Sequence, residues 1–177
     1  MERDNRWSGV HAAVSARVPA DDREVAARAR FLVDLERLPF PFSEDADLTH
    51  VTASAIVVGS RGTVLHVHRR TGAWLQPGGH IDPQEAPTDA ARRETIEETG
   101  LAVRHPDTGP RLIHVDVHGA SRGHVHLDLR YLLLAPDDDP APAPGESQEA
   151  RWFSWDEAEA VADESLRNAL RAARGQA

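Results

Sequence analysis

Hydrophobic and polar positions follow two different periods along the chain, and each period predicts one kind of element. Residues 21–38 carry apolar side chains at helical spacing, which predicts an amphipathic helix that ends before Pro39. Residues 1–19 show no steady period and predict a tail or a loosely attached arm, ahead of a single domain over residues 20–177. The predicted apolar stripe of the helix consists of Val25, Ala29, Phe31, Leu32, Leu35 and Leu38.

Strand-like segments fill the middle of the chain, and a helical pattern returns near its end. A Gly-Ser-Arg-Gly turn predicts a hairpin between the first two strands, and Gly-Ala-Ser-Arg-Gly predicts a second hairpin later. Because strands and helices mix without a strict βαβ rhythm, the order predicts an α+β fold, with a mixed sheet flanked by helices. The predicted strands cover residues 50–58, 63–69, a short part of 70–76, 111–118, 124–134 and 149–155, and one or two closing helices cover residues 156–174.

Composition and charge narrow the classes of function. The 177 residues are enough for one domain with a sizeable core. The formal net charge is −9 and every basic residue is Arg, so long nucleic acid is a poor partner. Arg still makes planar, bidentate contacts to phosphate, so a small phosphorylated ligand with its own metal ion suits this charge. The chain contains no Cys, which excludes disulfides and thiolate metal sites.

Hydrophobic segments of the kind that direct proteins into or across membranes are missing from the sequence. No apolar run is long enough to cross a bilayer, and the first residues lack the apolar core of a secretory signal. The sequence therefore predicts a cytoplasmic protein without a membrane partner.

Residues 75–101 concentrate glycine and charged side chains in one segment. Pro87 suits the first turn of a helix and Gly100 suits a helix C-cap, so a helix is predicted between them. Gly78 and Gly79 come before this helix and leave backbone carbonyl and amide groups uncovered beside its start.

Three carboxylates share one face of this predicted helix. Glu94, Glu97 and Glu98 are spaced i, i+3 and i+4, and on an exposed helix each like-charge pair costs only ~0.2–0.5 kcal/mol. In a cleft, at ~5 Å and an effective dielectric of about 20, each pair costs roughly 3 kcal/mol. A divalent cation turns that repulsion into attraction, and carboxylate oxygens suit Mg²⁺ or Mn²⁺. The alternative is a solvated acidic helix face, which is the usual place of a charge run.

The spacing of these residues resembles the Nudix box, G-x5-E-x7-R-E-U-x-E-E-x-G-U, in which U is a bulky aliphatic residue. The match covers 23 residues, and its seven fixed positions make it far more specific than a lone glycine motif. The one departure is Thr95, where an aliphatic residue is usual; its methyl group and β-branch predict a small packing cost and no loss of chemistry. The matching residues are Gly79, Glu85, Arg93, Glu94, Glu97, Glu98 and Gly100, with Leu101 at the last U.

The resemblance implies a fold, an activity and roles for the residues. The implied fold is the Nudix-like α/β/α sandwich, and the implied activity is metal-dependent hydrolysis of a diphosphate linkage in a nucleoside diphosphate joined to another group, or in a related nucleotide. Mg²⁺, with Mn²⁺ as the alternative, would be held by Glu94, Glu97 and Glu98, called the box glutamates below, and by the backbone carbonyl of Gly78. One box glutamate would also help to deprotonate water, and Arg93 with Glu85 would form the positioning pair.

The implied partner is a small diphosphate-containing substrate, and a homodimer is left open because many members of the family are dimers. In this family the general base often lies outside the box. Glu146 and Glu149, just before the last strand, are the candidates, and ordinary loop and strand-edge charges are the competing interpretation.

Two other functions compete with hydrolysis. A catalytically silent Nudix-like binding or regulatory module is expected to lose box carboxylates, whereas this chain keeps them all. A relative of isopentenyl diphosphate isomerase shares the fold, but the common enzymes depend on a catalytic cysteine and this chain has none. Both observations favour a hydrolase.

The second predicted hairpin alternates polar and aliphatic positions, so that one face of it carries histidine, aspartate and arginine. An antiparallel pairing closed by Gly-Ala-Ser-Arg-Gly places acids opposite imidazoles, which stabilises a sheet face modestly. The predicted pairs are His118 with His124, Asp116 with His126, and His114 with Asp128.

Three interpretations of this polar face compete. The first is a partly solvated sheet face, and the second is a face that lines the substrate cleft, with Arg130 and His126 contacting phosphate or sugar. A transition-metal site ranks last, because strand spacing spreads the groups out and does not converge them on a point. Trp74, beside the Nudix loop, is a candidate for stacking on a base, with packing in the core as the alternative.

Overall fold

Five α-helices, one short 3₁₀ helix (Ser121–Gly123) and seven strands are found over residues 4–175, the part of the chain that the computed structural model describes. Residues 1–3 of the predicted tail and residues 176–177 of the predicted domain lie outside the described residues. The helices are α1 (Asn5–Ala16), α2 (Asp22–Arg37), α3 (Pro87–Thr99), α4 (Trp155–Val161) and α5 (Glu164–Arg174). The strands are β1 (Thr49–Gly59), β2 (Gly62–Val67), β3 (Trp74–Leu75), β4 (Gly78–His80), β5 (Arg111–Gly119), β6 (Val125–Leu134) and β7 (Ala150–Phe153).

All seven strands belong to one mixed sheet. Its main path runs β3-β2-β1-β6-β5, with β4 beside β1 and β7 beside β2. β1 and β6 are parallel, whereas the other pairs are antiparallel. The predicted mixed sheet is therefore confirmed, and β1 with β2 forms the first predicted hairpin.

Helices cover both faces of this sheet. On one face, α1, α2 and α3 pack against β1, β5 and β6, and Phe31, Leu35 and Leu129 are fully buried there. On the other face, α4 and α5 pack over the sheet through buried side chains such as Leu166 and Leu170. Each such side chain contributes roughly 1.5–3 kcal/mol to the stability of the fold. The three layers form the predicted α/β/α sandwich, and none of the described helices has the length and apolarity to span a membrane.

The N-terminal segment is a packed helix over residues 5–16, so the prediction of a tail or loosely attached arm is wrong there. Val10 and Val14 are buried in the core beside α2, and the Trp7 indole N–H donates to the carbonyl oxygen of Leu35 at 3.0 Å. The buried residues of α1 are Val10 and Val14, and Trp7 packs partly buried beside them. That stripe is too narrow to produce a helical period in the sequence.

Glu24 takes the buried position on α2 that the sequence pattern assigns to Val25, which is 53% exposed. One oxygen of the Glu24 carboxylate accepts from the Arg17 Nε at 2.8 Å and from the Val115 N–H at 3.1 Å. The other oxygen accepts from the Ala20 N–H at 2.7 Å. A carboxylate tolerates full burial only when it is paired and hydrogen-bonded, and these contacts satisfy both conditions.

The β5–β6 hairpin differs in register from the predicted one. The Ala120 N–H donates to the His124 carbonyl oxygen at 2.7 Å, so the turn takes in His124, and Gly119 pairs with Val125. From His114 to the turn, this change keeps the side chains on their predicted faces but gives each a new partner across the hairpin. A β-bulge between Leu112 and His114 places Ile113 in the core under α5, on the opposite face from Val115. The observed pairs are His118 with His126, Asp116 with Asp128, and His114 with Arg130, so the predicted acid–imidazole pairs are wrong.

Candidate active site

Helix α3 carries the three box glutamates, and its two ends are those predicted. Pro87 lies in the first turn, and Gly100 is a left-handed C-cap with a φ of 71°. Thr95 is fully buried, and its hydroxyl donates to the Ala91 carbonyl oxygen at 2.6 Å. This bond within the helix satisfies the buried hydroxyl, which explains how threonine occupies a position where the box usually has an aliphatic residue.

Two glycines bring the backbone of β4 against the box glutamates. A Cβ atom on Gly78 would lie 2.3 Å from the Cβ of Ser54, and one on Gly79 would lie 2.6 Å from the Cδ of Glu94. Neither position has room for a side chain. In this close approach the Gly78 N–H donates to an oxygen of Glu98 at 2.9 Å, which fixes that carboxylate beside the loop.

Arg93 ties the loop after β4 to helix α3. Its Nε and Nη2 donate to the two carboxylate oxygens of Glu85, each at 2.9 Å, and its Nη1 donates to Glu94 at 2.6 Å. The predicted contact of Arg93 with Glu85 is thereby confirmed, and these hydrogen bonds raise the pKa of the guanidinium above its ordinary value. Helix α1 adds a second tie, because Arg6 donates to the Glu85 carbonyl oxygen at 2.9 Å.

Replacement of Arg93 by alanine should lower the free energy of unfolding by roughly 1.5–3 kcal/mol, because Glu85 and Glu94 lose their charged hydrogen-bond donor. Urea unfolding in EDTA measures this loss. Arg30→Ala is the matched control, since Arg30 is exposed on α2 and forms an ion pair of 3.3 Å with Asp34, its neighbour one turn along the same helix. Equal stabilities of the two variants would contradict a bracing role for Arg93.

Burial disfavours the charged forms of two of the box glutamates. The side chains of Glu94 and Glu98 are 18% and 14% exposed. Burial, together with the charges of nearby glutamates, raises the pKa of Glu98 to about 8, and burial also raises the pKa of Glu94 despite its bond to Arg93. The Nε2 of His66 lies 3.4 Å from Glu98, but burial lowers the pKa of this histidine to about 4, so it is neutral near pH 7. A bound cation would stabilise this arrangement.

The raised pKa of Glu98 predicts a pH-dependent stability in EDTA. Between about pH 4.5 and 8, folded Glu98 keeps a proton that the unfolded chain has released, so its contribution to stability falls as the pH rises through this window. Glu98→Gln removes this titration. The urea midpoint of the variant should therefore gain on that of the wild type between about pH 5 and pH 8. A difference between the two midpoints that stays constant over this range would contradict the raised pKa.

A cleft of about 410 Å³ lies beside the junction of β4 and α3. Within it, the hydroxyls of Thr52 and Ser54 donate to the carboxylate of Asp128 at 3.0 and 2.8 Å. Thr52, Ser54 and His66 were not predicted as site residues, because the apolar content of their strands predicted burial. The polar residues at alternating positions of β1 were the signal that could have identified Thr52 and Ser54. The lining includes Ser54, His66, Gly78, Gly79, His126 and Asp128.

The two candidate bases differ in their surroundings. Glu146 is half-buried, and its charge raises the pKa values of both Glu94 and Glu98, which places it near the box. Glu149 is exposed, and its carbonyl oxygen accepts from β2. The structure therefore brings Glu146, and not Glu149, into the electrostatic environment of the box.

The three predicted substrate-binding residues also lie in different surroundings. His126 lines the cleft, whereas the Trp74 ring packs edge-on against an aromatic ring of β7 at 4.9 Å, in the core. Arg130 is buried, and it donates to Asp128 at 3.1 Å and to Asp116 at 3.2 Å. These ion pairs and the corrected register argue against the predicted contact of Arg130 with substrate.

Comparison with known families decides what this arrangement is. A family model described as the NUDIX domain matches residues 48–173, a range that contains the whole sheet, the glycine loop and the box glutamates. The chain belongs to the Nudix family. The resemblance seen in the sequence is thereby confirmed, and α1 and α2 precede the matched part of this Nudix protein.

Proteins similar to this Nudix chain carry different names. It is 32% identical over 110 residues to an RNA pyrophosphohydrolase of Pseudomonas savastanoi pv. phaseolicola, covering 62% of each chain. It is 33% identical over 115 residues to an isopentenyl-diphosphate Delta-isomerase of Saccharopolyspora erythraea, covering 60% of this chain and 58% of that protein. A NUDIX family hydrolase from Clostridium perfringens has a TM-score of 0.61 and 28% identity, over 72% of this chain and 98% of that one. The chain thus spans less than two-thirds of the length of these two curated relatives.

Proposed function

We propose that this Nudix protein is a pyrophosphohydrolase that cleaves the diphosphate linkage of a small nucleotide-derived substrate. The proposal rests on the convergence of Glu94 and Glu98 with the Gly78 backbone near a cleft of about 410 Å³, a size typical of small-molecule sites. The name of the Pseudomonas relative, an RNA pyrophosphohydrolase, supports the reaction class.

The donor set at the box fits Mg²⁺, with Mn²⁺ as the alternative ion. Carboxylate and carbonyl oxygens are the ligands that these cations prefer. Burial, followed by the charges of neighbouring glutamates, raises the pKa values of Glu94 and Glu98, and a bound cation would offset both effects. We assign Glu94, Glu97, Glu98 and the carbonyl oxygen of Gly78 as ligands. When bound, the ion supplies charge neutralisation at the phosphate oxygens of the substrate.

Residues of the chain itself would orient the substrate and move the proton. In the reaction, water attacks one phosphorus, the bond from that phosphorus to the bridging oxygen breaks, and the proton of the water passes to a carboxylate. Glu146 is the favoured base because its charge acts on the box, and Glu149 is the second candidate. Arg93 and Glu85 are positioning residues, since their ion pair holds the glycine loop against α3.

A phosphate-release screen tests this proposal. The panel contains a dinucleoside polyphosphate, a nucleotide sugar, ADP-ribose, an oxidised nucleoside triphosphate, a 5′-triphosphorylated oligoribonucleotide and isopentenyl diphosphate, each with Mg²⁺, Mn²⁺ or EDTA. At least one nucleotide should be hydrolysed with a metal ion and none in EDTA. If the folded protein hydrolyses no compound with either ion, the proposal fails and the silent binding module is favoured. Conversion of isopentenyl diphosphate to its isomer, measured separately, would favour the isomerase.

A further inference from the structure

A cluster of histidines lies where β1, β4, β5 and β6 come together. Neighbouring ring centroids in this cluster are 5.1 to 5.5 Å apart. Imidazole nitrogens are common ligands of transition-metal ions, so a cluster of this density is a candidate metal site. The histidine cluster consists of His50, His80, His118, His124 and His126.

Three members of the cluster bring ring nitrogen atoms close together. One ring nitrogen from each of His50, His124 and His126 lies within 4.8 Å of the others. Tetrahedral zinc, with Zn–N distances of about 2.0–2.1 Å, needs nitrogens about 3.4 Å apart, so small side-chain movements would complete the set. The parallel register of β1 and β6 places His50 directly beside His126, and the β5–β6 turn holds His124 next to them.

The ring of His50 is already in the tautomer that a metal ligand requires. Its Nδ1 lies 3.3 Å from the carbonyl oxygen of Asp47, which can only accept, so Nδ1 carries the hydrogen and Nε2 carries a lone pair. His50 is 1% exposed, and among the described residues its Nε2 has no hydrogen-bond partner. A buried acceptor without a partner costs about 1–3 kcal/mol, and a metal ion would relieve this cost. Outer hydrogen bonds of this kind orient metal-bound histidines.

Two of the three proposed ligands, His50 and His126, lie in surroundings that disfavour protonation. Burial, followed by the neighbouring histidines, lowers the pKa of His126 to about 3, and burial also lowers the pKa of His50. Neutral imidazole nitrogen suits zinc-class cations, whereas Mg²⁺ prefers oxygen. The histidine nitrogens therefore favour a zinc-class cation, whereas the carboxylate oxygens of the box glutamates favour Mg²⁺.

We propose that His50, His124 and His126 form a binding site for a zinc-class divalent cation, separate from the oxygen-lined Nudix site, with its fourth position open to solvent. The sequence ranks a transition-metal site last, because the hairpin alone spreads its polar groups out. Strand β1 supplies the third ligand, because its His50 lies beside His126 and close to His124. Since His126 also lines the cleft, the bound cation would lie at its edge.

Zinc binding to the EDTA-treated, dialysed protein tests this site directly. Titration with Zn²⁺ against a chromophoric chelator, in excess Mg²⁺ to saturate the carboxylates, should give one tight equivalent. Co²⁺ should give the visible absorption of a tetrahedral complex. His124→Ala removes a half-buried ligand in a turn, so the variant should fold, and it should bind Zn²⁺ at least about 100-fold more weakly. His50→Gln should lose the cobalt spectrum as well.

Two controls separate this site from other sources of zinc binding. His11→Ala removes a half-buried histidine of α1, outside the histidine cluster, and should leave the tight equivalent unchanged. Glu98→Gln should also keep it, since this variant alters only the Nudix box. Retention of tight zinc by His124→Ala, or its loss from Glu98→Gln, would overturn the proposal. Absence of a tight equivalent in the wild type would overturn it equally, whatever the phosphate-release screen shows.

Discussion

Turnover of the best substrate should fall by at least about 100-fold when Glu98 is replaced by glutamine, in a protein that still folds. Glutamine keeps the shape of the side chain and an oxygen that can accept the Gly78 N–H. It removes the negative charge of the carboxylate, the group that is assigned to bind the metal ion. An ion that neutralises charge in the transition state contributes several kcal/mol, and each 1.36 kcal/mol is a tenfold change in rate.

Steady-state hydrolysis at saturating Mg²⁺ measures this effect, and circular dichroism verifies the fold. Glu164→Gln is the matched control, because Glu164 is an exposed glutamate in the first turn of α5, remote from the cleft lining. That variant should keep the wild-type rate. If Glu98→Gln hydrolyses the substrate as fast as the wild type, Glu98 does not hold the catalytic ion.

Replacement of Arg130 by methionine should reduce the free energy of unfolding by about 3–5 kcal/mol, the largest stability effect expected in this protein. Asp116 and Asp128 lie opposite each other in the β5–β6 hairpin, and both are almost fully buried. Arg130 donates to both carboxylates, at 3.2 and 3.1 Å. Methionine fills much of the volume but leaves two like charges buried side by side without the cation between them.

Urea or thermal unfolding measures this loss, with Arg104→Ala as the control. Arg104 pairs with Asp107 at 2.6 Å, but both side chains are exposed, and such pairs contribute about 0–1 kcal/mol. Other donors soften the expected effect, since Asp128 also accepts from Thr52 and Ser54. Asp116 likewise accepts from Arg23 at 3.4 Å. A loss of less than about 1 kcal/mol for Arg130→Met would show that the other donors to Asp116 and Asp128 are enough to stabilise both carboxylates.

The local features of the candidate site follow from the sequence alone. The extent of α3 is set by its terminal residues, because Pro87 suits a first turn and Gly100 adopts a left-handed cap. The contact between Arg93 and Glu85 was also predictable, since both belong to one short segment whose geometry is limited by the helix and the turn before it. The mixed sheet followed from the order of the elements, for which few arrangements are available.

Only the tertiary structure decided the features that depend on distant partners. The turn conformation set the register of β5 and β6, which put Asp116 opposite Asp128 and brought Arg130 into ion pairs with both carboxylates. The pairing of β1 with β6 brought His50 beside His126, although the two lie far apart in the sequence. Whether a polar side chain is buried, paired or available for a ligand depends on which strands become neighbours. Short-range patterns in the sequence do not contain that information.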